Sequence, residues 1–486
     1  MVPRSLTERQ ARRSRRGPGF PHPGEARTAG LFFGDDVPDT HAMTATNREP
    51  ATVIVVGAGL AGLTAARTLR AAGATVTVLE ARDRVGGRTF SVTEGFADGQ
   101  HCDLGGELVT DDYRALSALC AEVGVALSEP VWFERPDLPA GASPWEGYLG
   151  EGRIIVDGEL LAGDRLAGIE AELRTAFAAC PPAPHEVAEQ WTRRAGLSDL
   201  ARAALAGPAR MPVQYDLAQT DTHYLTDAHV GDIRRIVGGS QQLALALARD
   251  LDVRLDAPVR AIRQSGGRVF LELEDGERMV ADQVVVAVPP FVLPTIGFDP
   301  PLPANAVGIL TTLQRAHGGK VIGQYAEGDL VREALSNAVF SDGPVNTAWV
   351  SNHYVTEGPA MVSGFVCGAD RALLESEPEA LAALDELVAV AVGGPVTRIA
   401  SHRKNWTEDP YALGVGATFG FPTRRALVAQ LVTAERRVHF AGDYLDVDLN
   451  ATMEGAVRSG LRVADDVLRM PRRMTLDQIE LELVRA

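Results

Sequence analysis

The sequence predicts a mixed α/β fold, and the stretch from Thr52 to Arg88 carries most of the evidence. It opens with an apolar, β-branched run that is typical of a buried parallel strand. A turn with the pattern GxGxxG follows at Gly57–Gly62 and leads into a helix predicted over residues 60–72. A second strand is predicted over residues 75–79. Strand, glycine turn, helix and strand in this order predict a Rossmann-like βαβ unit.

Each residue of the glycine turn has a physical role. Gly57 allows the tight turn, Gly59 lets a pyrophosphate approach the backbone, and Gly62 lets the helix pack close to the strand. The helix N-terminus, at Leu60 and Ala61, presents free N–H groups and the positive end of the helix dipole to phosphate groups. The turn therefore predicts a dinucleotide cofactor.

The residues after the second strand support the same cofactor class. Glu80 ends that strand, where a carboxylate accepts hydrogen bonds from a ribose hydroxyl. Arg82 and Arg88 follow closely, and two guanidinium groups beside a pyrophosphate make bidentate, charge-assisted partners.

From Glu80 to Thr89 the sequence, EARDRVGGRT, resembles the flavin-containing amine oxidases, the family of monoamine and polyamine oxidases. The resemblance implies FAD as the cofactor, with Arg82 and Arg88 at its phosphate and ribityl groups. The family also has a D-x-GG segment that passes close to the flavin. The further FAD contacts that the resemblance implies in this part of the chain are Ala81, Gly87, Thr89, Gly105, Gly106 and Glu107.

Composition restricts the function further. The formal net charge is −17, which argues against general nucleic-acid binding. The sequence has no run of about 18 apolar residues, so we expect no membrane span. The four cysteines are widely spaced and form neither a metal-binding pattern nor a disulfide framework. We therefore expect a cytoplasmic enzyme without a metal site and without a nucleic-acid or membrane partner.

Lysine is rare in this chain, where only Lys320 and Lys404 accompany the many arginines. Where arginine has replaced lysine almost everywhere, a remaining lysine is expected at a position that requires an ammonium group, because a planar guanidinium does not substitute readily for it. The segment around Lys320 resembles the family segment whose lysine holds a water close to flavin N5. The resemblance therefore implies a catalytic role for Lys320.

The resemblance extends over about residues 50–468 and implies two domains built from alternating segments. The residues before it are rich in Arg, Pro and Gly, contain an arginine run with no apolar region behind it, and predict disorder without an export signal. We favour Met43 as the start of translation. The predicted segments are a disordered extension at 1–48, an FAD-binding domain at 49–130, 226–300 and 407–470, an inserted mixed-sheet and helical substrate-binding domain at 131–225 and 301–406, and a tail helix at 471–486.

Hydrophobic periodicity and turn residues predict the remaining elements. Ser240 is a good N-cap for a helix that follows a Val-Gly-Gly turn. Helices are also predicted over residues 112–125, 166–179 and 197–206 and from Met453 onward; strands are predicted over residues 255–262, 269–273, 278–280, 284–288, 319–325, 347–350, 360–367 and 438–441.

A W-x-x-x-x-Y-x-x-G pattern at Trp406, Tyr411 and Gly414 matches the family near the flavin ring. The resemblance implies that Trp406 flanks that ring. Monoamine oxidases attach FAD through a cysteine at the position that Val415 occupies here, so we predict non-covalent FAD. The next family position carries a tyrosine of the aromatic cage around the amine, and here it is Gly416.

The last matching block contains a predicted strand, then Gly442 and Asp443, then a helix that opens at Met453. The resemblance places Asp443 at the FAD ribityl or phosphate region. The positive helix end at Met453 can stabilise the electron-rich pyrimidine edge of the flavin. Thr452 replaces the second cage tyrosine. Val259 matches a valine whose backbone binds the adenine ring.

The resemblance thus implies a flavin-dependent oxidoreductase that oxidises a CH–NH2 or CH–NHR amine to an imine. On this hypothesis hydride passes to flavin N5, and O2 reoxidises the flavin and gives H2O2. The predicted pocket residues are Leu108, Gly416 and Thr452. The resemblance also allows a homodimer, the state of many relatives.

Three alternatives stay open at this point. The loss of both cage tyrosines favours a flavin desaturase of the phytoene desaturase or protoporphyrinogen oxidase type, whereas Lys320 argues against it. The second alternative is an L-amino acid oxidase. Such enzymes often have an arginine near this segment that holds the substrate carboxylate, and Glu107 in this segment argues against that activity without excluding it. A non-catalytic flavoprotein that acts through partners is supported only by the predicted tail helix.

Overall fold

The computed structural model describes residues 50–131, 153–183, 186–210, 215–226, 233–336, 338–418 and 437–470. The predicted disordered extension, the proposed start at Met43 and the predicted tail helix lie outside these residues.

The helices and strands follow one another in an irregular alternation. The helices are α1 Leu60–Ala71, α2 Arg114–Val123, α3 Gly163–Ala179, α4 Ala188–Arg194, α5 Asp199–Arg210, α6 His223–Thr226, α7 Gln241–Ala248, α8 Ala304–Thr312, α9 Gly328–Ala334, α10 Glu377–Val392 and α11 Met453–Arg469. The strands are β1 Thr52–Val56, β2 Thr75–Leu79, β3 Ser91–Val92, β4 Cys102–Asp103, β5 Val109–Thr110, β6 Arg153–Val156, β7 Glu159–Leu160, β8 Ile233–Arg234, β9 Asp252–Arg254, β10 Val259–Ser265, β11 Arg268–Leu273, β12 Arg278–Ala281, β13 Gln283–Val286, β14 Gly297–Asp299, β15 Gln314–Ala316, β16 Gly318–Tyr325, β17 Val339–Ser341, β18 Thr347–Val350, β19 Ala360–Cys367, β20 Arg398–Asn405, β21 Gly416–Thr418 and β22 Val438–Phe440.

A five-stranded parallel sheet, in the order β22-β13-β1-β2-β9, carries the glycine turn. Successive residues of β1 point to opposite faces of this sheet. Val53 and Val55 pack in one hydrophobic cluster with α1 and α11. Ile54 and Val56 pack in a second cluster with the four-stranded sheet β12-β11-β10-β14. The sheet is therefore covered on both faces, as a parallel sheet requires.

The second large sheet is mixed and has seven strands, in the order β20-β16-β19-β18-β17-β6-β7. Directly paired residues place Lys404, Lys320, Phe365 and Thr347 in one row across β20, β16, β19 and β18. Side chains paired in this way share one face of the sheet. On the opposite face, Val321 packs in a hydrophobic cluster that includes residues of α10.

Two predicted elements differ from the structure. The strand expected over residues 255–262 is interrupted, because Asp256 has φ of +53° and its N–H donates to the Arg82 carbonyl at 3.0 Å. The strand β10 therefore begins only at Val259, in the neighbouring four-stranded sheet, and β9 of the parallel sheet ends at Arg254, before the predicted segment. Ser240 precedes α7 as predicted, but its N–H and Oγ both donate to the buried Asp103 carboxylate, at 2.9 and 3.0 Å. Its side chain does not cap the helix.

The glycine turn makes a testable distinction between two of its glycines. A β-carbon at Gly62 would lie 1.9 Å from the Gly57 carbonyl oxygen, whereas one at Gly59 would meet no atom within 4 Å. Gly59 also has φ of −75°, which alanine adopts freely. We expect Gly62→Ala to destabilise the cofactor-free protein by about 1–3 kcal/mol and Gly59→Ala to change it by less than about 0.5 kcal/mol. Thermal unfolding measures both, and equal midpoints for the two variants would contradict this packing.

Candidate active site

A cavity of about 890 Å³ runs from the glycine turn after β1 to one face of the seven-stranded sheet. Most of the residues predicted to bind a cofactor or substrate line this cavity. They are Gly57, Gly59, Leu60, Ala61, Glu80, Ala81, Arg82, Gly87, Arg88, Thr89, Gly105, Gly106, Glu107, Leu108, Val259, Lys320, Trp406, Gly442, Asp443, Thr452 and Met453.

Two predicted site residues do not line the cavity. Gly62 lies behind the turn against Gly57, in the packing role that its motif position indicates. Gly416, predicted in the substrate pocket, lies instead in β21. A β-carbon at Gly416 would sit 3.0 Å from the β-carbon of Ala451, and Ala451 lines the cavity. Ala451, and not Gly416, therefore forms the cavity wall at this point.

Hydrogen bonds and ion pairs hold Glu80 and Arg82, the charged residues that follow β2, in place. The Glu80 carboxylate accepts from the N–H of Ala58 at 2.8 Å and the N–H of Arg82 at 3.0 Å. The Arg82 guanidinium pairs with Asp409, which also accepts from Lys404 at 2.6 Å. Burial opposes the charge on Asp409, but Lys404 and Arg82 outweigh it and hold the pKa of Asp409 below its usual value. The second lysine of the chain therefore acts on this network.

Arg88 is fixed at the middle of the cavity. Its guanidinium pairs with the buried Asp443 carboxylate and donates to the Val415 carbonyl at 2.9 Å. Its backbone carbonyl lies where a β-carbon at Gly105 would sit, at a distance of 1.8 Å. This position therefore requires glycine.

Trp406 is buried beside Gly105. The indole Nε1 donates to the Leu104 carbonyl at 2.7 Å, and the Lys404 ammonium lies 4.6 Å from the ring centroid. A β-carbon at Gly105 would approach the indole to 3.2 Å. The ring is thus held between the glycine segment and the sheet, with part of it in the cavity wall.

Lys320 reaches the cavity from β16, the second strand of the seven-stranded sheet. Its side chain is only 2% exposed, and its ammonium donates to Glu107 Oε2 at 2.6 Å and to the Asp103 carbonyl at 3.0 Å. The ammonium also lies 5.1 Å from the Trp349 ring and 5.6 Å from the Phe365 ring. Such aromatic faces stabilise a desolvated cation.

The Glu107 side chain accepts hydrogen bonds from several elements at once. Besides Lys320, its carboxylate accepts from Arg235 Nε and Trp349 Nε1, both at 2.9 Å, and from Ser363 Oγ at 3.4 Å. Burial by itself raises the pKa of Glu107, but Lys320 and Arg235 overcome it and lower that pKa to about 2. Glu107 is therefore ionised at every physiological pH.

Sequence reasoning missed the aromatic residues of the cavity wall. Trp349 and Phe365 pack edge to face, with ring centroids 4.7 Å apart, and both line the cavity together with Tyr113 and Tyr224. Phe365 pairs directly with Lys320 across the sheet. Only the strand pairing brings these residues together, so no local pattern in the sequence signals them.

These residues fit FAD. The backbone at Gly59 opens into the cavity, the N-terminus of α1 faces it, and Glu80 is ready to accept from a ribose. No cysteine is among the described residues that line the cavity.

Within the described ranges, no group of three His, Cys, Asp or Glu side chains could hold a metal ion. None of the helices in the described part of the chain is long and apolar enough to cross a membrane.

Comparison with known proteins identifies the family. The family model described as flavin containing amine oxidoreductase matches residues 60–468, and one described as pyridine nucleotide-disulphide oxidoreductase matches residues 14–98. The chain is 28% identical to flavin-containing amine oxidase B of Homo sapiens, over 88% of each chain. It is 36% identical to the putrescine oxidase of Kocuria rosea, over 52% of this chain and 59% of that protein.

A solved structure of putrescine oxidase bound to putrescine has a TM-score of 0.69 at 23% identity and covers 87% of this chain and 99% of its own. The comparisons confirm the predicted fold class, FAD as the cofactor and flavin-dependent amine oxidation. Because the first family model spans most of its length, this chain belongs to the flavin-containing amine oxidoreductase family.

Proposed function

We propose that this enzyme is an oxidase of small amines that holds FAD without a covalent bond and passes the electrons to O2. One observation carries the proposal: a single cavity reaches from the glycine turn to the Lys320 ammonium. A dinucleotide seated at the turn therefore has continuous space toward a wall that carries a charged donor and aromatic rings. The relatives named above, an amine oxidase and a putrescine oxidase, support the substrate class.

The cofactor half of the cavity supports binding in an extended form. Gly59 and the α1 N-terminus would hold the pyrophosphate, and Glu80 would accept from the ribose. Arg88 and Asp443 would contact the ribityl and phosphate region, with Val259 at the adenine. When bound, FAD supplies the redox chemistry by taking a hydride from the α-carbon of the amine.

The absence of a cysteine among the described lining residues supports non-covalent binding. Val415 occupies the family attachment position, and its carbonyl accepts from Arg88.

Lys320 supplies a directed donor at the other end of the cavity. An ammonium has three N–H groups, and two of them donate to Glu107 and the Asp103 carbonyl. The third is available to a water molecule or ligand in the cavity, because Lys320 lines it. We propose that this donor positions a water close to the flavin.

An aromatic wall takes the place of the missing cage tyrosines. Trp349 and Phe365 line the cavity next to Lys320, and Tyr224 lines it from α6. Flat rings at this position would pack on the apolar part of an amine and orient it. We therefore propose these rings, with Leu108 and Thr452, as the substrate pocket.

The two large sheets support the predicted division of the chain. The parallel sheet takes its strands from the segments 49–130, 226–300 and 407–470, and the seven-stranded sheet takes its strands from 131–225 and 301–406. We propose these segments as the FAD-binding and substrate-binding domains.

The cytoplasmic location and the homodimer stay predictions. All four cysteines are free thiols, which is consistent with a reducing compartment.

A panel of amines tests the proposed activity directly. We expect one class of small amine to produce H2O2 and consume O2 in equal amounts, and acid precipitation to leave free FAD in the supernatant. Amino acids and polyenes serve as controls for the alternative activities. FAD that stays with the precipitated protein would contradict non-covalent binding, and H2O2 from none of the amines would contradict the oxidase.

The two lysines of the chain make a matched pair of variants, because they are paired in the sheet. We expect Lys320→Met to slow flavin reoxidation at least about tenfold by removing a directed donor at the reaction centre. Lys404→Met is expected instead to weaken FAD binding, because Lys404 acts on Arg82 through Asp409. Stopped-flow reoxidation and FAD titration separate the two effects. If the reoxidation rate of Lys320→Met equalled that of the wild type, the role of Lys320 would be wrong.

Trp349 can be tested by separating its ring from its N–H group. Trp349→Ala removes the ring and is expected to raise KM for the best amine by about 10- to 100-fold. Trp349→Phe keeps an aromatic face and is expected to retain most of the affinity. A KM that changes equally in both variants would assign the effect to the lost N–H and contradict the aromatic wall.

A further inference from the structure

We propose that Glu107 is a positioning residue: its one carboxylate holds the Lys320 ammonium, the Trp349 indole and the Arg235 guanidinium in place at the cavity wall. The proposal rests on the proposed function, since it concerns the donor and the aromatic wall of that site. It reassigns Glu107, which the sequence placed among the cofactor contacts.

The geometry leaves Glu107 no capacity for substrate. Oε2 accepts from Lys320 Nζ at 2.6 Å and from Ser363 Oγ at 3.4 Å. Oε1 accepts from Arg235 Nε and Trp349 Nε1, both at 2.9 Å. Two oxygens that accept four hydrogen bonds have their acceptor sites filled. The carboxylate therefore acts on the site through its partners.

The donors come from three strands and from one residue outside the sheet. Lys320, Trp349 and Ser363 extend from β16, β18 and β19 of the seven-stranded sheet, whereas Arg235 directly follows β8. Glu107 itself belongs to the glycine-rich segment that passes Arg88 and Trp406. One side chain thus fixes the sheet that carries the aromatic wall against the segment that borders the cofactor cavity.

The charge balance at this point depends on Glu107. Lys320 and Arg235 are both buried, and Glu107 is the carboxylate that pairs with both. Burial and the Glu107 charge raise the pKa of Asp103, so Asp103 is a poor replacement as a counter-ion. The other titratable groups that interact with Glu107 are His101, Cys102, His353 and Tyr354.

Without the carboxylate charge, a buried ammonium next to a guanidinium loses its proton more easily, because desolvation and like charge both disfavour it. The charge of Glu107 is therefore expected to make the site insensitive to pH, and removal of that charge is expected to make the site sensitive to pH. A purely structural residue would have no such effect on pH dependence.

The decisive variant is Glu107→Gln, which keeps the shape and removes the charge. In the FAD-loaded enzyme without substrate, we expect the visible absorbance of the flavin to become dependent on pH within the working range of the enzyme. The reoxidation rate is expected to fall at least tenfold over the same range. In the wild type both quantities are expected to stay flat there.

Three further variants assign the effect. Glu107→Asp keeps the charge and is expected to show no new titration. The double variant with Lys320→Met in the Glu107→Gln background is expected to lose the new pH dependence, because the ammonium that pairs with Glu107 is then absent. Asp385→Asn is the matched control, since Asp385 accepts from Tyr325 Oη at 2.8 Å and Arg398 Nε at 2.9 Å away from the cavity. It is expected to behave as the wild type.

A readout without flavin keeps the test separate from the proposed function. The Glu107 pKa falls from 4.5 to about 2 on folding, so its ionised form stabilises the protein above about pH 4.5 and this contribution is lost as the pH falls toward 2. The difference in unfolding midpoint between the wild type and Glu107→Gln is therefore expected to be largest above that pH and to shrink on acidification.

A Glu107→Gln enzyme whose flavin titration and unfolding profile match those of the wild type and Asp385→Asn would overturn the proposal. If no amine reduced the flavin while both pH effects appeared, the proposed function would fail and the role of Glu107 would stand. If Glu107→Gln did not fold, Glu107→Asp would carry the test, because its shorter side chain keeps the charge but cannot reach Lys320, Trp349 and Arg235 together. A slower flavin reoxidation with a flat pH profile would support the proposal, and a reoxidation rate equal to that of the wild type would contradict it.

Discussion

The ion pair between Lys320 and Glu107 is the interaction on which the site depends. Both side chains are 2% exposed, and desolvating two charges is costly unless further hydrogen bonds complete the pair. Arg235, Trp349 and the Asp103 carbonyl provide these bonds. Removing one partner of such a pair typically costs about 3–5 kcal/mol, whereas a hydrophobic replacement of the whole pair often costs nothing. The pair is thus better explained by the site it builds than by stability.

The two lysines make the same kind of contacts on one face of the seven-stranded sheet. They are direct neighbours in the sheet, and each contacts a tryptophan and a carboxylate. Lys320 points its ammonium to the reaction wall, whereas Lys404 acts through Asp409 on Arg82 at the cofactor end. An ammonium is a compact donor that fits both positions, and a guanidinium would need more room in each. Their persistence in an arginine-rich chain follows from this geometry.

Local sequence patterns predicted the parts of the site that lie on one short segment. The glycine turn, Glu80 and Arg88 line the cavity because a βαβ unit brings its own residues to one end of the sheet. The family's D-x-GG segment pointed to Gly105, but the contact that requires glycine there is with the Arg88 carbonyl, which the motif did not indicate. The family resemblance added Lys320, which no pattern of spacing would have selected.

Contacts between residues far apart in the sequence place the site residues that local patterns could not predict. Phe365 and Trp349 reach the wall only through the register of β16, β18 and β19. The side chain of Glu107 turned to Lys320 rather than to a cofactor, because two buried cations surround it. Gly416 lies behind Ala451, whose position depends on the loop before α11. Each case depends on a contact between residues distant in sequence.

Anaerobic titration of the purified holoenzyme tests whether this cavity oxidises an amine through FAD. Amines and amino acids are added one at a time in the absence of O2, and the visible absorbance of the bound flavin is followed. We expect one class of small amine to remove this absorbance and O2 to restore it. Flavin that no amine reduces, although dithionite reduces it, would show that the cavity does not oxidise amines.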